Sequence, residues 1–410
     1  MAAEPRRSIL LFDIDGVLVA PRAYRSGVRH TLLEALHLWQ VNNPEALLPS
    51  DEELLHFEAR GIHDVWDVTA IALGSLAVQA FTGAESVAPG AALALEGVAS
   101  SLDRPDYRAL ADALDHTRIG TAHPPDVALK AYIAQLSSTL LPRPAASARA
   151  FLASFLEGTR SAHQSLTTRL FQNVILGGEA FEASYGLPSL YRGESLLDLE
   201  DRILIAPDTV QVILTGRSRR TWLAGIYSAR PSLPPREVGP APGQGYSPEA
   251  EWVTGKSGLS DLPCIAMGMM DWLGRQVGVP VEGLTKPNTT QALAALLCVL
   301  NGGRQEDALR TAYRIDPRGL DVKDTALARC LEQPVDLIVF EDTVSGIKPL
   351  VEVASRLNSA GGQVRLRALG IAQDATKVAA LAPYCESVFG SVNEAVAAAV
   401  APSTTPALLW

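Results

Sequence analysis

The chain has 410 residues, a formal net charge of −10, 47% hydrophobic residues and 20% charged residues. This length allows two domains with apolar cores, and the composition is typical of a globular protein and excludes a disordered one. The negative charge and the lack of a basic block argue against a nucleic-acid partner, whereas a small anionic substrate needs only a local positive field.

The sequence predicts neither a leader peptide nor a membrane helix. The apolar run near the first residues, "ILLF", is short and ends in acidic residues, unlike the apolar region of a secretory signal. No uninterrupted apolar stretch approaches the roughly 18 residues that cross a bilayer. The four cysteines are widely spaced and form no CxxC pair, which favours free thiols in a reducing compartment. We therefore expect a cytoplasmic protein with no membrane partner.

The first predicted element is a buried strand over 9–14, an apolar run bounded by polar residues. It ends in "DIDG", which places Asp13 and Asp15 at the carboxyl end of the strand, followed by Gly16. From about 24 to 200, apolar residues recur three and four positions apart. This spacing predicts a long helical region.

The strand pattern returns after the helical region. "VQVILTGR" at 210–217 predicts a second strand that ends near Thr215, and "SRRTWLAGIYSAR" predicts the helix that follows it. Residues 231–250 are rich in proline and glycine and predict a loop. "CIAMGMMDWLGRQV" is ambiguous between strand and helix.

The remainder of the chain alternates between helix and strand. "NTTQALAALLCVLNGG" predicts a helix with Asn288 as its N-cap, and "VDLIVFED" at 335–342 predicts a third buried strand. A helix in "VSGIKPLVEVASRLNSAGG" follows, and then "RLRALGIA" and "ESVFG" predict two strands, each followed by a helix. We predict an α/β fold with a Rossmann-like, doubly wound parallel sheet over 1–19 and 205–410. A large α-helical cap domain over 20–204 is inserted after the first strand.

Polar residues at the ends of the predicted strands indicate a metal site. In open α/β sheets, ligands lie beyond the carboxyl ends of the strands, so the residues at the three predicted strand ends are expected to meet there. They are Asp13 and Asp15, Thr215, and Glu341 and Asp342. A group of carboxylates repels itself unless a cation is present. Oxygen ligands without a nearby histidine or thiol favour Mg²⁺, which also binds the oxygens of substrate phosphates.

The same arrangement suits transfer of a phosphoryl group. Asp13 is a candidate nucleophile, because a metal and a lysine can hold a phosphoryl group in line with its carboxylate. Asp15 is a candidate general acid and base: it would first protonate the leaving oxygen and later remove a proton from the attacking water. Thr215 and the amide of Gly216 are candidate donors to the phosphoryl oxygens.

Four short segments resemble the motifs of the haloacid dehalogenase superfamily. "DIDGV" is similar to the first motif, "ILTGR" to the second, the lysine of "TKPN" to the third and "FEDTVSGI" to the fourth. The resemblance covers 8–19 and roughly 205–395. It implies the helical-cap, phosphatase-like group of that superfamily, in which the cap is inserted after the first motif.

The resemblance also implies roles for the matching residues. Asp13 would be both nucleophile and Mg²⁺ ligand, and Asp15 would be the acid and base, with its backbone carbonyl also on the metal. Thr215 would hold the phosphoryl group. Asp342 would complete the metal site with Glu341, although Glu341 has the alternative role of bracing the following loop.

Two lysines compete for the third motif. Lys286 of "TKPN" would hold the phosphoryl group in this resemblance, and Lys256 of "TGKSG" is the alternative. We favour Lys286 because "KPN" directly precedes a well-formed helical pattern.

Three further residues are candidates for substrate binding. Arg217 follows the second motif and either binds phosphate or pairs with a surface acid. Arg25 and His63 lie in the predicted cap, and a cap that closes over a site and excludes water must contact the leaving group.

We therefore expect a Mg²⁺-dependent phosphatase that hydrolyses a small phosphorylated metabolite through an aspartyl-phosphate intermediate. The alternatives are a sugar phosphomutase of the same fold and a non-catalytic binding protein that retains the fold. The sequence predicts no nucleic-acid partner and leaves the oligomeric state open.

Overall fold

We describe a computed structural model of the chain, over residues 6–80, 102–115, 123–139, 145–239, 245–316 and 322–401. The chain divides into two compact units. The sheet unit consists of Met1–Pro21, Arg202–Ala241 and Tyr246–Trp410, and the helical unit consists of Arg22–Asp201 and Pro242–Gly245. The two main division points, 21/22 and 201/202, lie within three residues of the predicted 19/20 and 204/205.

The helical unit contains helices throughout its described part. They are α1 (Ala23–Leu38), α2 (Asp51–Ala59), α3 (Val65–Ala80), α4 (Tyr107–Ala113), α5 (Pro124–Thr139), α6 (Ala145–Leu156), α7 (Leu166–Leu176), α8 (Gly178–Tyr185) and α9 (Leu196–Glu200). Helix α3 is buried along nearly its whole length, and its central part, "AIALGSLAV", is almost entirely apolar. The helical pattern predicted for this region agrees with these elements.

The sheet unit contains a six-stranded parallel sheet and a short antiparallel pair. The strands are β1 (Arg7–Phe12), β2 (Val19–Ala20), β3 (Arg202–Ile203), β4 (Trp222–Tyr227), β5 (Cys264–Ile265), β6 (Val335–Glu341), β7 (Val364–Ile371) and β8 (Ser387–Phe389). The parallel sheet has the order β5-β4-β1-β6-β7-β8, and β2 pairs with β3. The predicted α/β class with a parallel sheet is confirmed.

Helices connect the strands of this sheet. They are α10 (Pro207–Ser218), α11 (Glu249–Ser257), α12 (Met267–Val277), α13 (Thr289–Leu300), α14 (Gln305–Ile315), α15 (Arg329–Glu332), α16 (Val344–Ser359), α17 (Ala375–Leu381) and α18 (Val392–Val400). The predicted N-cap of α13 is confirmed, because the side chain of Asn288 accepts a hydrogen bond from the amide of Thr290.

The central strands are buried on both faces of the sheet. Every residue of β6 is buried, as expected of a parallel strand that helices cover on both sides. Ile9 and Leu11 of β1 belong to the apolar cluster that includes α13, whereas Leu10 and Phe12 belong to the cluster on the other face. The apolar run at 9–12 therefore supplies both faces of the core through the two-residue period of a strand.

The prediction of a strand at 210–217 is wrong. These residues lie in α10, which begins at Pro207 and buries Val210, Ile213 and Gly216 at the three-residue spacing of a helix. The helix predicted in "SRRTWLAGIYSAR" is also wrong, because Trp222–Tyr227 form β4 beside β1. The ambiguous segment that follows contains a two-residue strand, β5, and then α12.

None of the described helices combines the length and the apolar character that a bilayer span requires. All four cysteines are free thiols, and three of them are buried.

Candidate active site

Three carboxylates gather at the carboxyl edge of the sheet. Strands β1 and β6 are parallel, with Phe12 opposite Phe340, so that Asp13 and Glu341 leave the sheet side by side. The amide of Asp13 donates to the carbonyl of Phe340 at 3.0 Å and holds this register beyond the last strand pair. Carboxylate oxygens of Asp13, Glu341 and Asp342 all lie within 4.8 Å of one another.

Lys286 lies between two of these carboxylates. Its Nζ is 3.0 Å from Oδ1 of Asp13 and donates to Oε2 of Glu341 at 2.8 Å. The Lys286 side chain is only 7% exposed, and its Nζ also lies 4.1 Å from the centre of the Tyr227 ring. The predicted lysine and the carboxylates of the first and fourth motifs are therefore together in the folded chain.

Gln291, which the sequence analysis missed, holds the loop that carries Lys286. Its side-chain Oε1 accepts from the backbone amide of Lys286 at 3.0 Å, and its Nε2 donates to the carbonyl of Ser228 at 2.6 Å. This buried side chain joins the lysine loop to the end of β4. Its position in the first turn of α13, three residues after the N-cap, is the only sequence signal that marks it.

The electrostatics of the cluster reflect burial and excess negative charge. Burial by itself lowers the pKa of Lys286, but the Asp13 and Glu341 carboxylates outweigh it, so that the pKa is raised. Burial and repulsion from Asp13 raise the pKa of Glu341 and of Asp342. A second cation at this position would relieve that repulsion.

Glu341 contacts the lysine of the cluster and also braces the loop that follows it, which is one of the two roles that the sequence left open. Its Oε2 accepts from Lys286, while its Oε1 accepts from the amide of Thr343 at 3.2 Å and from its hydroxyl at 2.7 Å. Thr343 is the N-cap of α16, so Glu341 braces the loop that leads into this helix. A Cβ at Gly346 would lie 2.1 Å from the Glu341 carboxylate, so this close approach requires glycine.

Asp342 lies against the turn that follows Asp15. Gly16 has a φ of +76°, and a Cβ there would lie 2.2 Å from Oδ2 of Asp342. Any other residue would be strained and would displace the carboxylate. Oδ2 of Asp342 also accepts from Nζ of Lys377 at 2.6 Å.

Asp15 is paired with a fully buried arginine. Nη1 of Arg230 donates to Oδ1 of Asp15 at 2.6 Å, and the side chains are 0% and 31% exposed, respectively. Arg230 follows β4 closely, and its backbone amide donates to the hydroxyl of Ser228 at 3.3 Å. The sequence pattern gives no sign of this role for Arg230, because its segment predicts a helix.

Ser228 is the polar residue that follows the strand next to β1. Phe12 of β1 lies opposite Ile226 of β4, so Ser228 leaves the sheet one strand away from Asp13 and at the same edge. It is 1% exposed. The apolar run "LAGIY" directly before it was the sequence signal for this position.

Thr215 does not lie at a strand end, contrary to prediction. It is exposed in the last turns of α10. Gly216 has a packing role, since a Cβ there would lie 1.9 Å from the ring of Trp222. Arg217 is half-buried in the last turn of the same helix. The physical reason is that α10 packs on β4 through Gly216, so "LTGR" belongs to a helix surface rather than to the sheet edge.

The other candidates lie elsewhere in the chain. Lys256 is exposed near the end of α11, with its Nζ 5.6 Å from the centre of the Trp252 ring. In the helical unit, Arg25 of α1 forms an exposed ion pair with Glu58 at 3.0 Å, and His63 is exposed just before α3.

The residues of the cluster suit a hard divalent cation. The described group offers carboxylate oxygens and contains neither histidine nor cysteine, which is the donor set that Mg²⁺ prefers. Oδ1 of Asp13 is buried and faces Lys286, yet no described group donates a well-directed hydrogen bond to it. Since both oxygens of Glu341 accept hydrogen bonds, Asp13 and Asp342 are the carboxylates best placed to bind the ion.

No protein-family model matches the chain, and no curated protein matches it. Among solved structures, the chain is similar to a target whose X-ray structure was determined by the Northeast Structural Genomics Consortium. The TM-score is 0.61 and the identity is 15%, over 96% of this chain and 97% of that chain. At this identity the similarity shows only that the two chains share a fold. In the present chain, the described sheet unit is an α/β structure with a parallel sheet.

Proposed function

We propose that the chain is a Mg²⁺-dependent phosphatase that hydrolyses a small phosphorylated metabolite through an aspartyl-phosphate on Asp13. One observation carries this proposal: Nζ of Lys286 lies 3.0 Å from Oδ1 of Asp13, within a cluster that also contains Glu341 and Asp342. A nucleophilic carboxylate, a lysine and further carboxylates for a cation are the groups that phosphoryl transfer to an aspartate needs.

In the first half of the proposed reaction, a carboxylate oxygen of Asp13 attacks phosphorus and the bond from phosphorus to the leaving oxygen breaks. Asp15 gives its proton to that oxygen. Lys286 neutralises charge on the phosphoryl oxygens, and the hydroxyl of Ser228 takes the donor role that the sequence assigned to Thr215. When bound by Asp13 and Asp342, Mg²⁺ would neutralise charge on the phosphoryl group and the carboxylates.

In the second half, Asp15 removes a proton from water, and the water oxygen attacks the phosphorus of the aspartyl-phosphate. The acyl phosphate bond breaks, and inorganic phosphate and the Asp13 carboxylate are released. Arg230 is a positioning residue in this scheme, because its 2.6 Å bond to Asp15 orients that carboxylate. Glu341 positions Lys286 in the same way.

The resemblance to the haloacid dehalogenase superfamily supports the proposal at three of its four motifs. Asp13, Lys286 and Asp342 all belong to the cluster or contact it. The second motif is assigned to Ser228 in place of Thr215. In this proposal, the helical unit takes the place of the cap of that superfamily and selects the substrate.

The test is hydrolysis of p-nitrophenyl phosphate by the full chain, with Mg²⁺ and with EDTA. We expect turnover that requires Mg²⁺, is abolished in Asp13→Asn and is retained in Asp208→Asn, which changes an exposed aspartate of α10. Acid quenching during turnover should leave a hydroxylamine-sensitive phosphoryl group on the peptide that contains Asp13. A rate that neither EDTA nor Asp13→Asn affects would leave the binding-protein alternative.

Product analysis with a panel of sugar phosphates separates a phosphatase from a phosphomutase. A phosphatase releases inorganic phosphate in stoichiometric yield. Formation of an isomeric sugar phosphate without release of phosphate would replace the proposed hydrolysis with mutase activity.

A further inference from the structure

The helical unit contains a cavity of about 550 Å³ between the end of α6 and the start of α7. Its wall is mixed, with apolar residues such as Ala150, Ala153, Leu166 and Leu187 beside polar ones. A volume of this size lies within the range of roughly 300–1,000 Å³ that is typical of small-molecule sites. The cavity is therefore large enough for a small organic molecule with an apolar part.

The basic side chains of His163 and Arg169 line this cavity, and Arg169 lies on α7. Its Nη2 donates to the carbonyl of Pro188 at 2.7 Å, and its Nε is buried without a hydrogen-bond partner. Among the described residues, no carboxylate lies within ion-pair distance of its guanidinium. Burial lowers the pKa of Arg169, and no acidic neighbour counteracts this effect.

The acid in the same wall does not neutralise Arg169. Glu157 lines the cavity, but its carboxylate accepts from Arg149 at 2.8 Å in an exposed ion pair. Ser154, a further polar lining residue, donates its hydroxyl proton to the carbonyl of Phe151. The guanidinium thus remains a half-buried cation with donors to spare.

The position of Arg169 on α7 adds to this imbalance. The helix begins at Leu166, and its first turn contains no acidic residue. Arg169 is the fourth residue of the helix, near the end at which the backbone dipole is positive. A positive charge there is unfavourable, whereas an anion at the same place is stabilised by both the dipole and the guanidinium.

We propose that this cavity binds a small organic anion, with Arg169 holding its carboxylate or phosphate group and the apolar residues of the mixed wall contacting its hydrocarbon part. The planar guanidinium presents paired donors that match either oxyanion. The inference rests on the helical unit alone and is independent of the proposed phosphatase activity.

The test is isothermal titration of the full chain with sodium benzoate, phenylphosphonate and inorganic phosphate, in EDTA. We expect saturable binding of benzoate or phenylphosphonate, weakened at least about tenfold in Arg169→Met. The matched control is Arg192→Met, an exposed arginine of the same unit, which should bind as the wild type does. Preference for benzoate would assign a carboxylate ligand, and preference for phenylphosphonate a phosphate ligand.

Thermal melting separates a binding role of Arg169 from a structural one. Without ligand, Arg169→Met should melt close to the wild type or above it, because an uncompensated charge is removed. Excess benzoate or phenylphosphonate should raise the melting temperature of the wild type and of Arg192→Met but not of Arg169→Met. Equal binding by wild type and Arg169→Met, or no binding of any of the three probes by the wild type, would overturn the proposal.

Discussion

Replacement of Lys286 by methionine tests the candidate site most directly. In the folded chain, Nζ of Lys286 lies 3.0 Å from an oxygen of Asp13 and 2.8 Å from an oxygen of Glu341. Methionine keeps the unbranched apolar stem and removes the charge, so little cavity is created. The change leaves two buried carboxylates without their shared cation.

The expected loss of stability follows from that geometry. Removal of one partner from a buried, hydrogen-bonded ion pair costs about 3–5 kcal/mol in the free energy of unfolding. A chain with a total stability of about 10 kcal/mol, in the middle of the usual range, would remain folded at 25 °C. Mg²⁺ should restore part of the loss, because a divalent cation near Asp13 and Asp342 reduces the repulsion that lysine otherwise neutralises.

The expected loss of activity is about 10²- to 10³-fold in kcat, which corresponds to removal of one preorganised charge at the reacting group. The assays are urea denaturation near neutral pH, with and without Mg²⁺, and initial rates of p-nitrophenyl phosphate hydrolysis. Lys256→Met is the matched control. Because Lys256 is exposed, we expect a change in stability within about 0.5 kcal/mol and an unchanged rate.

Two results would refute this reasoning. Lys286→Met with wild-type stability and rate would show that the ion pairs seen here contribute nothing. A large loss of activity in Lys256→Met, with little loss in Lys286→Met, would transfer the phosphate-binding role to Lys256.

Three further predictions concern neighbouring residues. Ser228→Ala should lower kcat/KM roughly three- to tenfold, which corresponds to one hydrogen bond of about 0.5–1.5 kcal/mol. Thr215→Ala should leave kcat/KM unchanged. The opposite result would assign the phosphate-binding role to Thr215 of α10. Burial raises the pKa of Glu251 from 4.5 to about 7, because the folded chain disfavours its charged form. As pH rises from about 4.5 through 7, the free energy of unfolding of the wild type should therefore fall by up to about 3 kcal/mol relative to Glu251→Gln. Urea denaturation as a function of pH checks this, and a pH-independent difference would contradict it. Lys377→Ala removes a cation 2.6 Å from Asp342 and should lower the Mg²⁺ concentration for half-maximal activity by roughly two- to fivefold; a requirement for more Mg²⁺ would show that Lys377 supports the ion rather than competing with it.

The first and fourth motifs could be predicted because their signals are local. In each, an apolar run long enough to form a covered strand ends directly in carboxylates: Asp13 after β1, and Glu341 and Asp342 at the end of β6. The parallel order of a doubly wound sheet then brings such strand ends to one edge. Lys286 was favoured on an equally local signal, the well-capped helix α13 that follows it.

The second motif could not be assigned in this way. "VQVIL" and "WLAGIY" are both short apolar runs followed by a small polar residue, and periodicity in so few residues does not separate strand from helix. Pro207 at the start of the first run and the three-residue spacing of Val210, Ile213 and Gly216 were the signals for a helix. The apolar pattern of the first run predicts a strand that ends near Thr215, whereas Ser228 is the residue that the structure places at the sheet edge.

The sequence by itself determined the class of fold and the chemical character of the site, because strand runs, helix caps and terminal carboxylates are properties of neighbouring residues. Tertiary structure alone decided which apolar run pairs with β1, and therefore that Ser228 and Arg230 lie at the sheet edge. It likewise decided that Lys286 lies between two carboxylates. Among the described residues, it also leaves the Arg169 guanidinium without a carboxylate at ion-pair distance. Strand pairing and the partners of buried charges depend on residues far apart in the chain, and no local pattern specifies them.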